Sequence, residues 1–525
     1  MNKHFKSTVL ALCAGVVGLS VATAALAQPV LNAPALTKTA KAFGPSSPIA
    51  GRYIVVFKDS AADVSAQAQA LAKAHGGRVG HVYSHAIKGF SAWLPDAAVS
   101  ALQANPNVDY VEQDRTVSLQ ETAVARTETS ISPYSWGLDR IDQVTRPLDT
   151  QYHYNYLGTG VNAFIIDTGI RADHVDFTGR IVPGYNVAPD ANGVISSTNT
   201  SDCNGHGTHV SGTVGGTVLG VAKGVSIVPV RVLDCTGSGT SSGVIAGVDW
   251  VAASPLRPAV ANMSLGMNAV STAVNSAVAG AVGKGVTMVV AAGNSSLDAC
   301  TTSPASEPSA ITVGATDSSD VRASYSNYGK CLDLFAPGSS ITSAWYTSTT
   351  AAATLSGTSM ASPHVAGVAA LALAANPNAT PTDVTAFVLA NASVNQLTSI
   401  GTGSPNLLVY SLGGSAPVAV PQLTVAVKSL TNASTKSKRN WTAAVTVEIR
   451  DVNTGNLVPN ATVSASFNPG GSKSCLTGST GSCKLSVSLP LTTTSTTLTV
   501  TNVTGTNMLY DANQNSVTAL ALNRP

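Results

Sequence analysis

The sequence predicts a doubly wound α/β domain with a mainly parallel sheet over residues 133–412, flanked by two smaller units of different texture. Between Trp136 and about Leu412, short apolar β-rich runs alternate with Ala-rich helical stretches, the pattern of strands joined by helical crossovers. Before that region the periodicity reads β-α-β-β-α-β, and after it period-two alternation takes over. A chain of 525 residues has room for three such units. Charged residues make up 11% and apolar residues 44%, which excludes charge-driven disorder. The net charge of +2 gives no reason to expect nucleic acid or an anionic membrane as partner.

The elements follow in order. Lys3 and Lys6 precede an apolar run from Val9 to Leu19 and the tripeptide Ala25-Leu26-Ala27, so residues 1–27 read as a signal peptide and the protein as secreted. The run is too short to span a bilayer, and no later segment is long and apolar enough. Residues 28–50 read as an Ala/Pro/Thr-rich linker. Over 51–117, Arg52–Phe57, Arg78–Tyr83, Gly89–Leu94 and Val108–Glu112 read as strands, with Ala61–Ala74 and Asp96–Ala104 as helices, a ferredoxin-like α+β order. Residues 118–132 are polar and without apolar period, so an exposed, cleavable segment is expected there.

In the large domain, Val161–Ile166, Ile227–Leu233, Ala259–Met263 and Val286–Ala291 read as strands, and Ser241–Ala252, Ser271–Gly283 and Met360–Ala375 as helices. Gly413–Pro421 is a linker. Residues 422–525, with strands expected at Leu423–Val427, Thr442–Ile449, Ala461–Phe467, Lys484–Leu489 and Thr496–Val500, read as a small antiparallel β-sandwich of immunoglobulin-like type.

Four segments of the α/β domain put reactive groups where strand or helix ends meet glycines. Asp167 ends an apolar strand in Ile165-Ile166-Asp167-Thr168-Gly169; His206 stands between Gly205 and Gly207; Asn294 follows Val289-Val290-Ala291-Ala292-Gly293; Ser359 opens an Ala-rich helix. Amide hydrolysis needs a nucleophile, a base, a group that orients the base, and a donor for the oxyanion. Ser359, His206, Asp167 and Asn294 supply one of each. Blander readings compete: Asp-Thr-Gly also occurs in turns and in aspartic proteases, which use a second carboxylate block missing here. Cys203, His206 and His209 have a zinc-like spacing, yet Gly207 stands where zinc proteases carry Glu. His209 and His364 read as packed core residues.

The chain order Asp, His, Ser and the blocks Asp167-Thr168-Gly169, His206-Gly207-Thr208-His209 and Gly357-Thr358-Ser359-Met360-Ala361 resemble the signatures of the subtilisin-like serine proteases. The strings Trp136–Gln143, Asp202–His209 and Ser326–Gly338 are similar to the proteinase K group, most of all its secreted bacterial members. The resemblance implies a subtilisin-like fold and an endopeptidase made as a zymogen, its N-terminal unit an inhibitor-type propeptide that assists folding and then blocks the cleft until the chain cuts itself within residues 117–132. It implies substrate-binding edges at Ser264-Leu265-Gly266 and Gly237-Ser238-Gly239, a main pocket lined by Ala292 and Gly293, and a preference for large apolar or aromatic side chains in polypeptide substrates.

It further implies disulfides Cys203–Cys235 and Cys300–Cys331. This leaves Cys475 and Cys483 to staple a hairpin in the sandwich. Calcium is the cofactor it implies, at Pro308, Ala310 and Asp333 and at Asp139, Asp142 and Gln143, with Asp149 and Gln151 nearby; no organic cofactor is expected. A monomer free of membrane and nucleic acid is expected. The competing reading is an idle surface or adhesion protein that keeps the protease fold as scaffold.

Overall fold

The computed structural model describes residues 46–119, 126–128 (backbone), 135–413, 423–452, 454–505 and 508–525. The expected signal peptide, most of the first linker, much of the segment 118–132 and nearly all of the second linker lie outside these residues.

The N-terminal unit contains β1 (Pro48–Phe57), α1 (Val64–Ala74), β2 (Arg78–Tyr83), β3 (Gly89–Trp93), α2 (Ala98–Gln103) and β4 (Val108–Leu119). Strand β1 pairs antiparallel with both β3 and β4, and β2 pairs with β3. Helix α1 starts at Asp63, whose carboxylate accepts from the Ala66 amide. Apolar residues from both helices and the strands form one small core, including Phe57, Ala68, Phe90 and Leu102.

Strand β4 differs from expectation. It runs seven residues past Glu112, and Val117, expected at the edge of an exposed segment, is 2% exposed. The extension is physically sustained by new ladder partners in the catalytic domain, described below.

The large domain holds β5 (Asn162–Asp167), α3 (His206–Gly215), β6 (Ser226–Arg231), α4 (Ser241–Ala253), β7 (Ala259–Met263), α5 (Thr272–Gly283), β8 (Val286–Ala291), β9 (Ile311–Thr316), β10 (Leu334–Pro337) and α6 (Thr358–Ala375). The sheet runs β10-β9-β8-β7-β5-β6, extended at one edge by Leu407–Leu408 and Ser393–Val394 and at the other by Tyr185–Asn186. All pairs from β10 to β6 are parallel. One core lies on each face. That explains why these strands read as continuous apolar runs rather than alternating ones. The chain moves one way from β5 to β6 and the other way from β7 to β10, so the strand order reverses between β5 and β7. Ligand crevices of open α/β sheets form at such a reversal, outside the carboxyl ends of the strands.

The C-terminal unit is a sandwich with an 18-residue buried cluster that includes Trp441, Phe467 and Leu498. One sheet joins β11 (Leu423–Asn432), β12 (Asn440–Asp451), β15 (Ser482–Pro490) and β17 (Met508–Tyr510), with the short Thr435–Lys436; the other joins β13 (Thr462–Asn468), β14 (Gly471–Leu476), β16 (Ser495–Thr504) and β18 (Ala519–Asn523). Two expectations change. The sheet is not wholly antiparallel, because β11 and β17 pair in parallel. Cys475 and Cys483 are bonded, but they sit on β14 and β15, which belong to different sheets, so their disulfide ties the two layers together instead of a hairpin.

Candidate active site

Asp167 is the last residue of β5, and the Met263↔Ile166 register sets Ser264 beside it, at the strand-order reversal. The Asp167 carboxylate is fully buried, and its Oδ1 accepts from the Thr168 amide at 2.7 Å and from His206 Nδ1 at 2.8 Å. That contact fixes Nδ1 as the protonated nitrogen and leaves Nε2 as the basic one.

His206 opens α3, and its loop is held by Asp202. One oxygen of Asp202 accepts from the Asn204 and Gly205 amides and the Thr168 hydroxyl; the other accepts from the Thr208 amide and hydroxyl. Sequence reading assigned Asp202 no role. The signal was there in its position one turn ahead of a glycine-flanked histidine. Gly207 must lack a side chain, since a Cβ would stand 2.2 Å from the Gly169 carbonyl. The Glu of a zinc protease cannot occupy that position. Cys203 is bonded to Cys235, and Cys300 to Cys331, which removes Cys203 as a zinc ligand.

Ser359 is the second residue of α6, a helix that packs against α3. Its hydroxyl departs from expectation: Oγ donates to the Ser264 carbonyl at 3.0 Å, and among the described residues it makes no hydrogen bond to His206. The Ser264 hydroxyl returns a bond to the Ser359 carbonyl at 2.8 Å, and Asn262 Nδ2 donates to the Ser264 hydroxyl. The Ser264 carbonyl, just past the end of β7, is the acceptor that sets this direction. One step between staggered rotamers about Cα–Cβ re-aims Oγ.

Asn294 follows β8 and is nearly buried. Its Oδ1 accepts from both the amide and the hydroxyl of Thr358 at 2.9 Å, which fixes the side-chain amide with its Nδ2 donors at the opposite end. The neighbouring Gly293 amide donates to Thr358 Oγ1, and the Ala292 carbonyl accepts from Asn327 Nδ2, so both residues expected to line the main pocket have fixed backbones.

The two expected edges are both occupied, by the protein's own strand β4. Thr116, Val117 and Ser118 pair antiparallel with Thr240, Gly239 and Ser238, and Ser118 and Leu119 with Gly266 and Leu265. The Leu119 amide donates to the Gly237 carbonyl at 3.1 Å. A β4 strand hydrogen-bonded on both sides is strand addition within one chain.

Carboxylates reinforce the union. Buried Asp114 accepts from the Ser241 hydroxyl and from the Ser242 amide and hydroxyl at the start of α4, while pairing with Arg52 at 3.1 Å. Glu112 accepts from the Ser271 hydroxyl and the Ala273 amide at the start of α5. In return Asp249 of α4 collects the amides of Ser84, His85 and Ala86. Carboxylates are favoured at helix N-termini, where unpaired amides point outward. Sequence reading missed these residues because their partners lie more than a hundred residues away.

The oxygen ligands expected for calcium differ in availability. Burial pushes the Asp333 carboxyl up to about 6, and its Oδ2 accepts from the Thr312 amide. Burial likewise pushes Asp142 up to about 6 against the lowering effect of the His153 amide, and Asp142 Oδ1 is buried with no hydrogen-bond partner among the described residues. Both Asp139 oxygens already accept from the chain, from Gln143 Nε2 and the Asp149 amide and from the Thr150 amide. Among the described residues, no three His, Cys, Asp or Glu side chains are grouped to hold a metal. Asp333 and Asp142 therefore fit a hard cation better than Asp139 does.

Two family models match the chain: the subtilase family, peptidase S8, over residues 158–403 and peptidase inhibitor I9 over 52–120. An extracellular serine proteinase of Thermus sp. (strain Rt41A) is 50% identical over 416 residues, 75% of this chain and 97% of the relative. Alkaline serine exoprotease A of Vibrio alginolyticus is 48% identical over 374 residues, 69% of this chain and 68% of the relative. A solved structure of a cold adapted subtilisin-like serine proteinase is 54% identical, with a TM-score of 0.51, and covers 54% of this chain and all of its own. The fold and these matches define a serine protease with an inhibitor-type N-terminal unit. The chain belongs to the subtilase family.

Proposed function

We propose that this subtilase is secreted as a zymogen and is an endopeptidase whose acyl-enzyme forms on Ser359. The observation that carries the reading is the placement of β4 between Ser238–Thr240 and Leu265–Gly266, ending beside Ser264, the residue bonded to Ser359 in both directions. A substrate held the same way would bring its carbonyl to that serine.

In this mechanism His206 Nε2 takes the Ser359 proton as Oγ attacks, and Asp167 holds the tautomer and stabilises the imidazolium. Asn294 Nδ2 and the helix N-terminal amides meet the developing oxyanion. His206 then gives the proton to the leaving amine, and water repeats the sequence on the ester. Protonation of His206 in acid removes the base. Ala292 and Gly293 beside the edges leave room for a large apolar or aromatic side chain. Until released, the N-terminal unit acts as inhibitor by filling the cleft; the predicted signal peptide and an extracellular relative support secretion.

Calcium would be held by Asp333 with the Pro308 and Ala310 carbonyls, and by Asp142 with Asp139 and Gln143. Bound there it supplies charge neutralisation and cross-links loops, with no part in the chemistry. A chelator is expected to lower the Tm of the Ser359→Ala chain, and an unchanged Tm removes the calcium assignment.

Ser359→Ala itself tests the main reading. The variant is expected to accumulate as full-length precursor after signal removal, with self-processing slowed by at least roughly 10,000-fold. Normal processing of that variant on a gel would overturn the assignment of the nucleophile.

A further inference from the structure

We infer that Asp202 is a positioning residue for the Asp167–His206 pair, fixing the strand end to the helix start through two crossed threonine hydroxyls. The inference rests on the protease reading above and names what sets the geometry of its base.

Four hydrogen bonds make the crossing. Thr168, next to Asp167, donates its hydroxyl to Asp202 Oδ1 at 3.0 Å and accepts from the Gly207 amide, next to His206, at 2.9 Å. Thr208, on α3, donates its hydroxyl to Asp202 Oδ2 at 2.6 Å and accepts at 3.0 Å from the Arg171 amide, on the segment that follows Asp167. Each hydroxyl thus belongs to one element and is engaged by the other, and both protons end on the same carboxylate. Both threonines are fully buried, so a lost bond there is not replaced by bulk water.

The demand on position 202 is for acceptors alone. Besides the two hydroxyls, Oδ1 accepts from the Asn204 and Gly205 amides and Oδ2 from the Thr208 amide. A side-chain amide in its place would turn an NH2 group toward one of these sets of donors.

The same loop supplies what α3 cannot. Gly205 stands at the N-cap with φ +113° and has no side chain to cap the helix. The first three amides of α3 go instead to Asn204 Oδ1, Thr168 Oγ1 and Asp202 Oδ2. The turn that carries His206 is therefore tied to the strand end that carries Asp167, and the 2.8 Å contact between the two side chains depends on that tie.

The experiment measures kcat, KM and the acid limb of kcat/KM on one peptide for mature Asp202→Asn and Thr208→Val. The rate of first self-cleavage of each full chain reads catalysis where little mature enzyme forms. For Asp202→Asn, kcat is expected to fall about 10- to 100-fold, the scale of a misplacement of about 1 Å, with KM within about twofold. The acid limb is expected to move to lower pH, because an imidazolium held less closely by the Asp167 carboxylate gives up its proton more readily. Thr208→Val, which removes one hydroxyl and no charge, is expected to shift in the same direction and carries the test where Asp202→Asn fails to fold. Thr208→Ser, which restores the hydroxyl, is expected to self-cleave faster than Thr208→Val. A lowered Tm with kcat, self-cleavage and acid limb unaltered in both variants overturns the inference and leaves Asp202 a helix cap alone. Normal processing of Ser359→Ala would instead overturn the protease reading on which the inference rests.

Discussion

The two appended units are joined to the protease by opposite means. The N-terminal unit shares a continuous sheet with the catalytic domain and exchanges carboxylate–amide bonds in both directions, through Glu112 and Asp114 one way and Asp249 the other. The C-terminal sandwich closes on itself. Among the described residues its core cluster draws on Leu423 to Leu522 alone, and its disulfide ties its own two sheets. The first design combines polar bonds that water can replace with apolar packing of Ile54, Val56, Tyr83 and Val117 against the catalytic domain, and it suits the proposed inhibitor, which binds tightly and then leaves. The second suits a unit that folds whether or not it is attached.

The largest expected effect that separates the two ends is acid unfolding. His209, buried between the Ile341 and Ala353 carbonyls, is pushed down to about 3, by burial first and the His206 charge second. Burial pushes His364 down to about 4, and His81 and His174 are lowered for the same first cause. A histidine with a folded pKa below its unfolded value near 6.5 stays neutral when folded but takes a proton when unfolded. Stability is therefore lost as pH falls below about 6.5 and continues to fall until the folded pKa is reached. At pH 5, His209 and His364 each cost about 2 kcal/mol. The sandwich contains no histidine. Asp142 and Asp333, each pushed up to about 6 by burial, take up protons in the folded state over the same range and offset part of that loss. Calorimetry of the Ser359→Ala chain is expected to show two transitions, with the catalytic one moving down between pH 7 and 5 and the sandwich one still. A single transition moving as a unit would show that the sandwich is coupled to the protease after all.

The same contrast explains what was legible in the sequence. Ala259–Met263 and Val286–Ala291 form strands over the predicted residues because a strand covered on both faces must be apolar throughout, a local signal. Asp167, His206, Asn294 and Ser359 stood out because each lies at a strand or helix end beside glycine. Thr116 to Leu119 did not read as a strand continuation, since their partners at Ser238–Thr240 and Leu265–Gly266 lie more than a hundred residues further along and nothing local records them. Cys475 and Cys483 were read as a hairpin staple because separation along the chain does not tell two strands of one sheet from two strands of facing sheets. The direction of the Ser359 hydroxyl was equally invisible: a rotamer answers to the acceptors around it, here the Ser264 carbonyl.

A smaller effect probes the N-terminal junction. Asp114 is fully buried and accepts three bonds from Ser241 and Ser242 while facing Arg52. Asp114→Ala leaves the α4 N-terminus and the Arg52 guanidinium without their acceptor, and hydrogen bonds to a charged group are worth about 1.5–3 kcal/mol each before compensation by water. Arg52 keeps partial solvent access, so the net loss is set at about 2–3 kcal/mol, a weakening of the cleaved complex by roughly 100-fold. Peptide-hydrolysing activity is expected to appear sooner after self-cleavage than in the unaltered chain, because the N-terminal unit leaves faster. Asp114→Asn, which keeps an acceptor for Ser242 but not the charge, should fall between the two. An unchanged lag in both variants would mean that the shared strand alone holds the inhibitor, and that Asp114 contributes to the fold of its own unit rather than to the grip on the protease.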